Sequence, residues 1–273
     1  MSGPAEGLAG SLVSAPRKGH PGSLVTLLAG AGFVAAEEEA DELLARAAGD
    51  VGLLESLVRR RLEGEPLAWI TGRAYFCGLE IRVDPGVYVP RWQSEPLARR
   101  AVARLPDDGV AIDLCTGSGA LAKTLAVNRP DAHVVASEID RRAVACAASN
   151  DVEVYQGDLF APLPRLLEGG ADVVVGVVPY VPTAALTLLA RDTLRFESPV
   201  SYDGGRDGTD VLRRVLDECP RFLRRGGTLL LELGGEQADG LGADLARLGY
   251  NASVVLVDQD GDTRGIEVTL GTP

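Results

Sequence analysis

The stretch Ile112-Asp113-Leu114-Cys115-Thr116-Gly117-Ser118-Gly119-Ala120 reads as a short buried strand ending in an acid, a loop of small residues, and the first turn of a helix. Glycines in such a loop let a ligand approach the backbone, and the helix N-terminus offers free N–H groups. Outward from this loop, strands and helices alternate. Strands are predicted at 110–113, 132–137, 152–155, 171–178 and 228–233, with a terminal pair at 254–257 and 265–270. Helices are predicted at 120–128, 142–150, 210–224 and 237–248. Alternating β and α units imply an α/β fold with a mostly parallel sheet covered by helices on both faces.

A second acid, Glu138, ends the next strand 25 residues after Asp113. An acid at that place commonly holds a ribose diol. Gly117-Ser118-Gly119-Ala120-Leu121-Ala122 also matches the looser dinucleotide fingerprint GxGxxA, so a nicotinamide dinucleotide stays open on pattern alone. Asp113 counts against it, because an acid just before the loop repels a pyrophosphate. A P-loop needs Lys-Ser/Thr after its glycines, and Ala120-Leu121 stand there instead. The acid suits a cationic or amino-bearing ligand. S-adenosylmethionine fits, with its amino acid near Asp113, its ribose on Glu138 and its adenine near the third strand. There Gly157-Asp158-Leu159-Phe160 offers Asp158 to the adenine amino group. The plainer alternative is a βα turn with no ligand.

Composition sets further bounds. The chain has 273 residues, 39 acids against 27 bases, and a formal charge of −12. Such a balance lacks the clustered Lys and Arg that a phosphate-binding surface needs, and aromatics at 5% supply no stacking platform for single strands. Nucleic acid is therefore not an expected partner. Arg59-Arg60-Arg61 sits among acids and reads as one solvated helix face. Cys77, Cys115, Cys146 and Cys219 lie at least 31 residues apart and the two histidines, His20 and His133, are remote, so no metal site is expected. Scattered free cysteines suit a reducing cytoplasm. The N-terminus lacks the apolar run of a signal peptide, and Leu24–Ala36 is too short and too acid-flanked to span a membrane.

Four segments are expected. Residues 1–22 form a disordered tail and 23–74 a small helical domain. Residues 75–93 form a hairpin linker turning at Asp84-Pro85-Gly86, and 94–273 the sheet domain.

The order of motifs resembles one family. The helical segment is followed by Phe76-Cys77-Gly78-Leu79, then Val89-Pro90-Arg91-Trp92-Gln93-Ser94-Glu95, then Asp113-Leu114-Cys115-Thr116-Gly117-Ser118-Gly119. Gly157-Asp158-Leu159-Phe160, Val178-Pro179-Tyr180 and Asp203-Gly204-Gly205-Arg206-Asp207-Gly208 complete the series. From about residue 23 to 270 the chain resembles the HemK/PrmC-type protein-(glutamine N5) methyltransferases, and most an actinobacterial side branch whose acceptor is unassigned. The resemblance implies a class I (Rossmann-like) methyltransferase domain with a seven-stranded sheet, a helical substrate-recognition domain and S-adenosylmethionine as cofactor. It implies cofactor contacts from Asp113, Cys115, Thr116, Gly117, Gly119, Glu138, Asp158 and Leu159. A catalytic loop at Val177, Val178, Pro179 and Tyr180 is implied, as is a substrate pocket at Arg91, Trp92 and Glu95.

Two departures stand out. The family's Asn-Pro-Pro-Tyr is Val177-Val178-Pro179-Tyr180 here. In the family the Asn side chain and the neighbouring backbone carbonyl accept hydrogen bonds from the substrate amide. Val177 has no side-chain acceptor, which leaves the carbonyl of Val178. The family's Arg-Pro-Glu-Thr-Glu-like run is Arg91-Trp92-Gln93-Ser94-Glu95, which sets an aromatic either toward the pocket or into packing between domains. Both changes make the acceptor site more apolar. The expectation is a methyltransferase with an altered acceptor, a small molecule of specialised metabolism. Three alternatives stand beside it. One is intramolecular alkylation closing a ring, one is methylation of a release-factor glutamine, and one is a non-catalytic scaffold. The acceptor class spans small molecule and protein.

Overall fold

The computed structural model describes residues 21–189, 191–251 and 253–271. The expected tail lies outside these residues except for Pro21 and Gly22, which open a helix. The chain divides into two units, residues 1–71 and 72–273.

The first unit holds α1 (Pro21–Gly30), α2 (Ala36–Ala47), α3 (Val51–Leu62) and α4 (Leu67–Thr71). Ala48 and Gly49, both with positive φ, end α2, and the Asp50 side chain caps α3 by accepting from the Leu53 amide at 2.9 Å. Leu28, Ala40, Leu43, Leu57 and Ile70 close its apolar core. The arginine run is not one solvated face. Arg61 is nearly buried, paired with Glu39 at 2.6 Å and stacked 3.9 Å over the Phe33 ring. Arg60 pairs with Glu65. Successive residues on a helix point about 100° apart, so three in a row cannot share one face.

The second unit begins with the hairpin β1 (Arg73–Phe76) and β2 (Leu79–Arg82). Its turn is Cys77-Gly78, not Asp84-Pro85-Gly86. Both turn residues have positive φ (50° and 79°), the two-residue geometry whose twist matches the flanking strands. Asp84–Val87 closes a separate turn, after which the Val89 amide donates to Glu197 rather than to a strand. The sequence pattern misses this because a Pro-Gly turn and a Cys-Gly turn both interrupt the same alternation. Asn150 fastens the hairpin to the glycine loop, exchanging bonds with the Arg82 amide (2.9 Å) and carbonyl (2.8 Å) and donating to the Ser118 carbonyl at 2.8 Å.

The sheet unit continues with α5 (Glu95–Arg104), β3 (Val110–Leu114), α6 (Ala120–Asn128), β4 (His133–Glu138), α7 (Arg141–Ala148) and β5 (Glu153–Gln156). Then come β6 (Ala171–Gly176), α8 (Arg191–Phe196), α9 (Asp210–Glu218) and β7 (Leu223–Glu232). It closes with α10 (Gln237–Gly240), α11 (Gly242–Arg247), β8 (Val254–Val257) and β9 (Thr263–Thr269). The sheet order is β5-β4-β3-β6-β7-β9-β8, with β9 alone running opposite to the other six strands. This is the expected mostly parallel seven-stranded sheet. Ile112, Leu114, Val174, Leu229 and Leu231 carry its core against Leu212 and Leu216 of α9. The helix predicted to 224 ends at Glu218, because Cys219-Pro220 tightens into a 3-10 turn. Neighbours β4 and β6 lie on opposite sides of β3, which makes the carboxyl end of β3 the switch point where open α/β sheets bind ligands.

Candidate functional site

At that end Cys115, Gly117 and Gly119 take positive φ of 55°, 58° and 82°. Gly119 is required for packing as well, since an added Cβ would sit 2.8 Å from Val152 and 3.2 Å from Ala147. At Gly117 an added Cβ would meet only Tyr88, at 3.9 Å, so this part of the loop faces open space. Asp113 is buried and accepts from the Thr116 hydroxyl at 2.5 Å and the Ala122 amide at 3.1 Å. Burial pushes its pKa up to about 7 against these bonds.

Glu138, at the end of β4, accepts from the Gly117 amide through Oε2 and the Asp140 amide through Oε1, both at 2.9 Å. Each oxygen keeps a lone pair for a further donor. Asp158 follows β5 and is half-exposed. Its Oδ2 accepts from Arg214 at 2.7 Å, a partner the sequence does not announce. Leu159 beside it is buried with φ of 45°, and Ile139, directly after Glu138, is 55% exposed. An apolar residue held in water beside a strand-end acid is the signal that could have singled out Ile139.

A cleft of about 420 Å³, including its open mouth, joins the loop to a second surface. Asp113, Cys115, Thr116 and Ser118 form one wall; Phe76, Tyr88, Arg91, Ser94 and Val177 form the other. Val177 thus stands in the cleft, whereas Val178 is buried in the core. The Val178 carbonyl receives no hydrogen bond among the described residues. The Pro179-Tyr180 backbone is held from behind. The Tyr180 carbonyl accepts from Gln237 at 2.7 Å, and the next residue, Val181, exchanges bonds with Tyr202 and Gly204. The Tyr180 hydroxyl donates to Glu232 at 2.9 Å, and burial raises its pKa.

Of the three residues expected in the substrate pocket, one is on the wall. Arg91 lines the cleft, pairs with Glu197 at 2.5 Å, donates to the Tyr202 hydroxyl at 3.1 Å and lies 5.3 Å over the Tyr88 ring. Burial alone would lower its pKa, but Glu197 together with Tyr202 and Tyr88 outweighs that and raises it. Trp92 is 72% exposed on a 3-10 turn and is not among the residues that line the cleft. The turn points residue 92 outward and Ser94 inward. Glu95 spends its carboxylate on the Cys77 amide (2.9 Å) and Arg99 (2.5 Å), anchoring the hairpin turn to α5. Sequence reasoning missed Tyr88, Ser94, Glu197 and Glu232.

The fold and site find counterparts among known proteins. Residues 80–175 match the Methyltransferase small domain model. The release factor glutamine methyltransferase of Geobacter sulfurreducens is 34% identical over 228 residues, 81% of this chain and 79% of its own length. The 4-amino-L-phenylalanine/4-methylamino-L-phenylalanine methyltransferase of Streptomyces pristinaespiralis is 36% identical over 191 residues, 66% of this chain and 65% of its own. In structure, the E. cuniculi Mtq2–Trm112 complex, described as responsible for methylation of the termination factor eRF1, aligns with a TM-score of 0.50 at 22% identity. The alignment covers 68% of this chain and 99% of that one, a likeness of fold alone. Identity above 30% across four-fifths of the chain places it in the release factor glutamine methyltransferase (HemK/PrmC) family, as an S-adenosylmethionine-dependent methyltransferase.

Proposed function

We propose that this enzyme methylates an acceptor other than a release-factor glutamine, namely a small molecule that lays an apolar surface against Phe76, Tyr88 and Val177. The carrying observation is Val177 itself. It lines the cleft at the position where the family presents an amide-clamping Asn, and a valine side chain accepts nothing. One relative, the Streptomyces pristinaespiralis enzyme, is named for a free amino acid. The intact glycine loop weighs against the scaffold reading.

The residues present suit the cofactor. In this reading the open face at Gly117, with Cys115, Thr116 and Gly119, cradles S-adenosylmethionine. Asp113 lies toward its amino acid moiety. Glu138 accepts from the ribose diol through its remaining lone pairs. Asp158 offers Oδ1 to the adenine amino group while Arg214 holds Oδ2, with Leu159 and Ile139 as apolar neighbours. When bound, the cofactor supplies a methyl group on a sulfonium, and the chain needs to position the acceptor more than to move protons. Four free thiols are consistent with a reducing cytoplasm. Among the described residues no helix is long and apolar enough to cross a membrane.

The test is methyl transfer from labelled S-adenosylmethionine to a release-factor glutamine domain and, separately, to a small-molecule extract. Label in the small-molecule fraction supports the reading. Robust glutamine methylation by the native chain overturns it. Label that ends on methylthioadenosine, the thioether expelled when the cofactor's amino acid chain closes on itself, rather than on an acceptor with S-adenosylhomocysteine as co-product, points to ring closure instead.

A further inference from the structure

The Asp158 carboxylate is only half committed. Its Oδ2 accepts from Nη2 of Arg214 at 2.7 Å, while Oδ1 receives no hydrogen bond among the described residues. The backbone beneath it is held. Leu159 is buried with φ of 45°, the Ala161 amide donates to the Asp158 carbonyl at 3.0 Å, and an added Cβ at Gly157 would sit 2.8 Å from Pro162. The Asp158 side chain itself is 49% exposed, and among the described residues Arg214 is the one group that bonds it. Arg214 is fixed in turn. It stands on α9, whose Leu212, Val215 and Leu216 are buried in the sheet core, and it lies 3.8 Å from Glu218 one turn on. The start of α9 is locked as well. The Asp210 amide donates to the Gly204 carbonyl at 2.9 Å, and a Cβ on Gly204 would sit 2.7 Å from the Tyr180 Cα. An ion pair this exposed adds little to folding stability, so what it does fix is the direction of Oδ1. The pair also stands at the cofactor end of the sheet. Burial pushes the pKa of the cleft-lining Cys115 up, Glu138, Asp113 and Asp158 add to the rise, and Arg214 opposes it.

Resting on the reading of Asp158 as the adenine acceptor, we infer that Arg214 is a positioning residue for the cofactor, holding that carboxylate so that Oδ1 meets the adenine amino group. Arg214 itself touches no part of the cofactor. A free aspartate gives up rotamer freedom when it takes a ligand, and a side chain already held gives up less, which appears as affinity. With Oδ2 occupied, the pair presents one acceptor where a lone carboxylate presents two. A single acceptor in a set direction suits a donor at one place on the ring. Adenine carries an amino group at carbon 6, whereas a 6-oxo purine carries a carbonyl there and sets oxygen against oxygen. Discrimination between these two bases is the property that Arg214 sharpens, because a site built for one hydrogen-bonding group rejects its mismatch strongly.

S-adenosylhomocysteine and S-inosylhomocysteine differ in the base alone, amino against oxo at carbon 6. Titration calorimetry on the full chain measures both, so turnover and the acceptor play no part. The native chain is expected to prefer S-adenosylhomocysteine by at least about tenfold. Arg214→Met should cut that preference to about threefold or less, mainly by weakening S-adenosylhomocysteine. Arg214→Lys should keep most of it, since the contact is one N–H on one oxygen and not a fork. S-inosylhomocysteine binding at native strength certifies that each variant is folded. A merely structural role would weaken both ligands alike. A preference unchanged in Arg214→Met, with or without such a common loss, overturns the inference, as does a preference that Lys preserves no better than Met. Asp158→Ala separates the inference from the reading beneath it. A preference lost in Asp158→Ala but kept in Arg214→Met sinks the inference alone. A preference that survives Asp158→Ala, or no preference in the native chain, sinks the reading of Asp158 itself.

Discussion

The Glu138 carboxylate and the Gly117 amide, 21 residues apart in sequence, are joined by a 2.9 Å hydrogen bond across the ends of two neighbouring parallel strands. The acid that would receive a ribose therefore also fixes the loop that would receive the rest of the cofactor. Binding and loop order are one property of Glu138.

Glu138→Ala is expected to weaken S-adenosylmethionine binding by about tenfold or more. Hydrogen bonds to a charged group contribute about 1.5–3 kcal/mol, and here the loop amide loses its partner too. Titration calorimetry reads the loss. An unchanged affinity would remove Glu138 from the cofactor site.

The altered clamp can be restored. Val177→Asn with Val178→Pro rebuilds the family's Asn-Pro-Pro-Tyr. The double variant is expected to methylate a release-factor glutamine domain where the native chain does so at least about a hundredfold more slowly, a mismatch of hydrogen-bonding partners being worth several powers of ten. Equal rates in native and double variant would show that Val177 does not set the acceptor.

Asp113 gives a pH signature. An unfolded aspartate releases its proton near 3.8, whereas this fold retains it to about 7. Between those values the folded state binds more protons than the unfolded chain, so Asp113 makes stability fall as pH rises through that window. Asp113→Asn, which keeps an oxygen to accept from Thr116 and Ala122, should remove that slope. Urea midpoints at pH 5 and pH 7.5, native against variant, measure the difference. Parallel pH profiles would place the Asp113 proton elsewhere.

Arg91 neutralises Glu197, whose side chain is 1% exposed and also accepts from the Val89 amide. Arg91→Met strands that charge. Loss of one partner of a buried pair costs about 3–5 kcal/mol, and the 38% exposure of Arg91 puts this case at the lower end. Arg91→Met combined with Glu197→Gln should recover part of the loss in a thermal melt. A double variant no more stable than the single would argue against a stranded charge.

The sheet was legible because its rules are local. Ala120–Asn128 was read to the residue, since a glycine loop before an apolar run admits little else. Asp113, Gly117 and Glu138 were found for the same reason: each is a strand end or a loop position whose chemistry is visible within nine residues. The hairpin turn was misplaced because two Gly-containing turns compete within ten residues, and only the left-handed Cys77 decides between them. Trp92 drew attention by size, yet a 3-10 turn sends it to solvent and brings the smaller Ser94 inward. Glu197 and Glu232 left no trace, because nothing in their own neighbourhoods marks them. Apart from Tyr202, five residues from Glu197, the hydrogen-bonded partners of these carboxylates lie 52 to 108 residues away, and sequence pattern does not carry such distances.

Asn150 bonds both the second strand of the hairpin and the Ser118 carbonyl of the glycine loop, and Glu95 holds the hairpin's turn. The hairpin is thus stitched to the cofactor end of the sheet. For the ancestry of such enzymes this sets where exchange of parts is tolerated. A recombination breakpoint at Gln93/Ser94 would pair one parent's hairpin with another's loop and divide between two parents both stitches that hold the hairpin, Arg82–Asn150 and Cys77–Glu95. A breakpoint near Gly72 transmits hairpin, loop and acceptor wall together, as a single heritable piece.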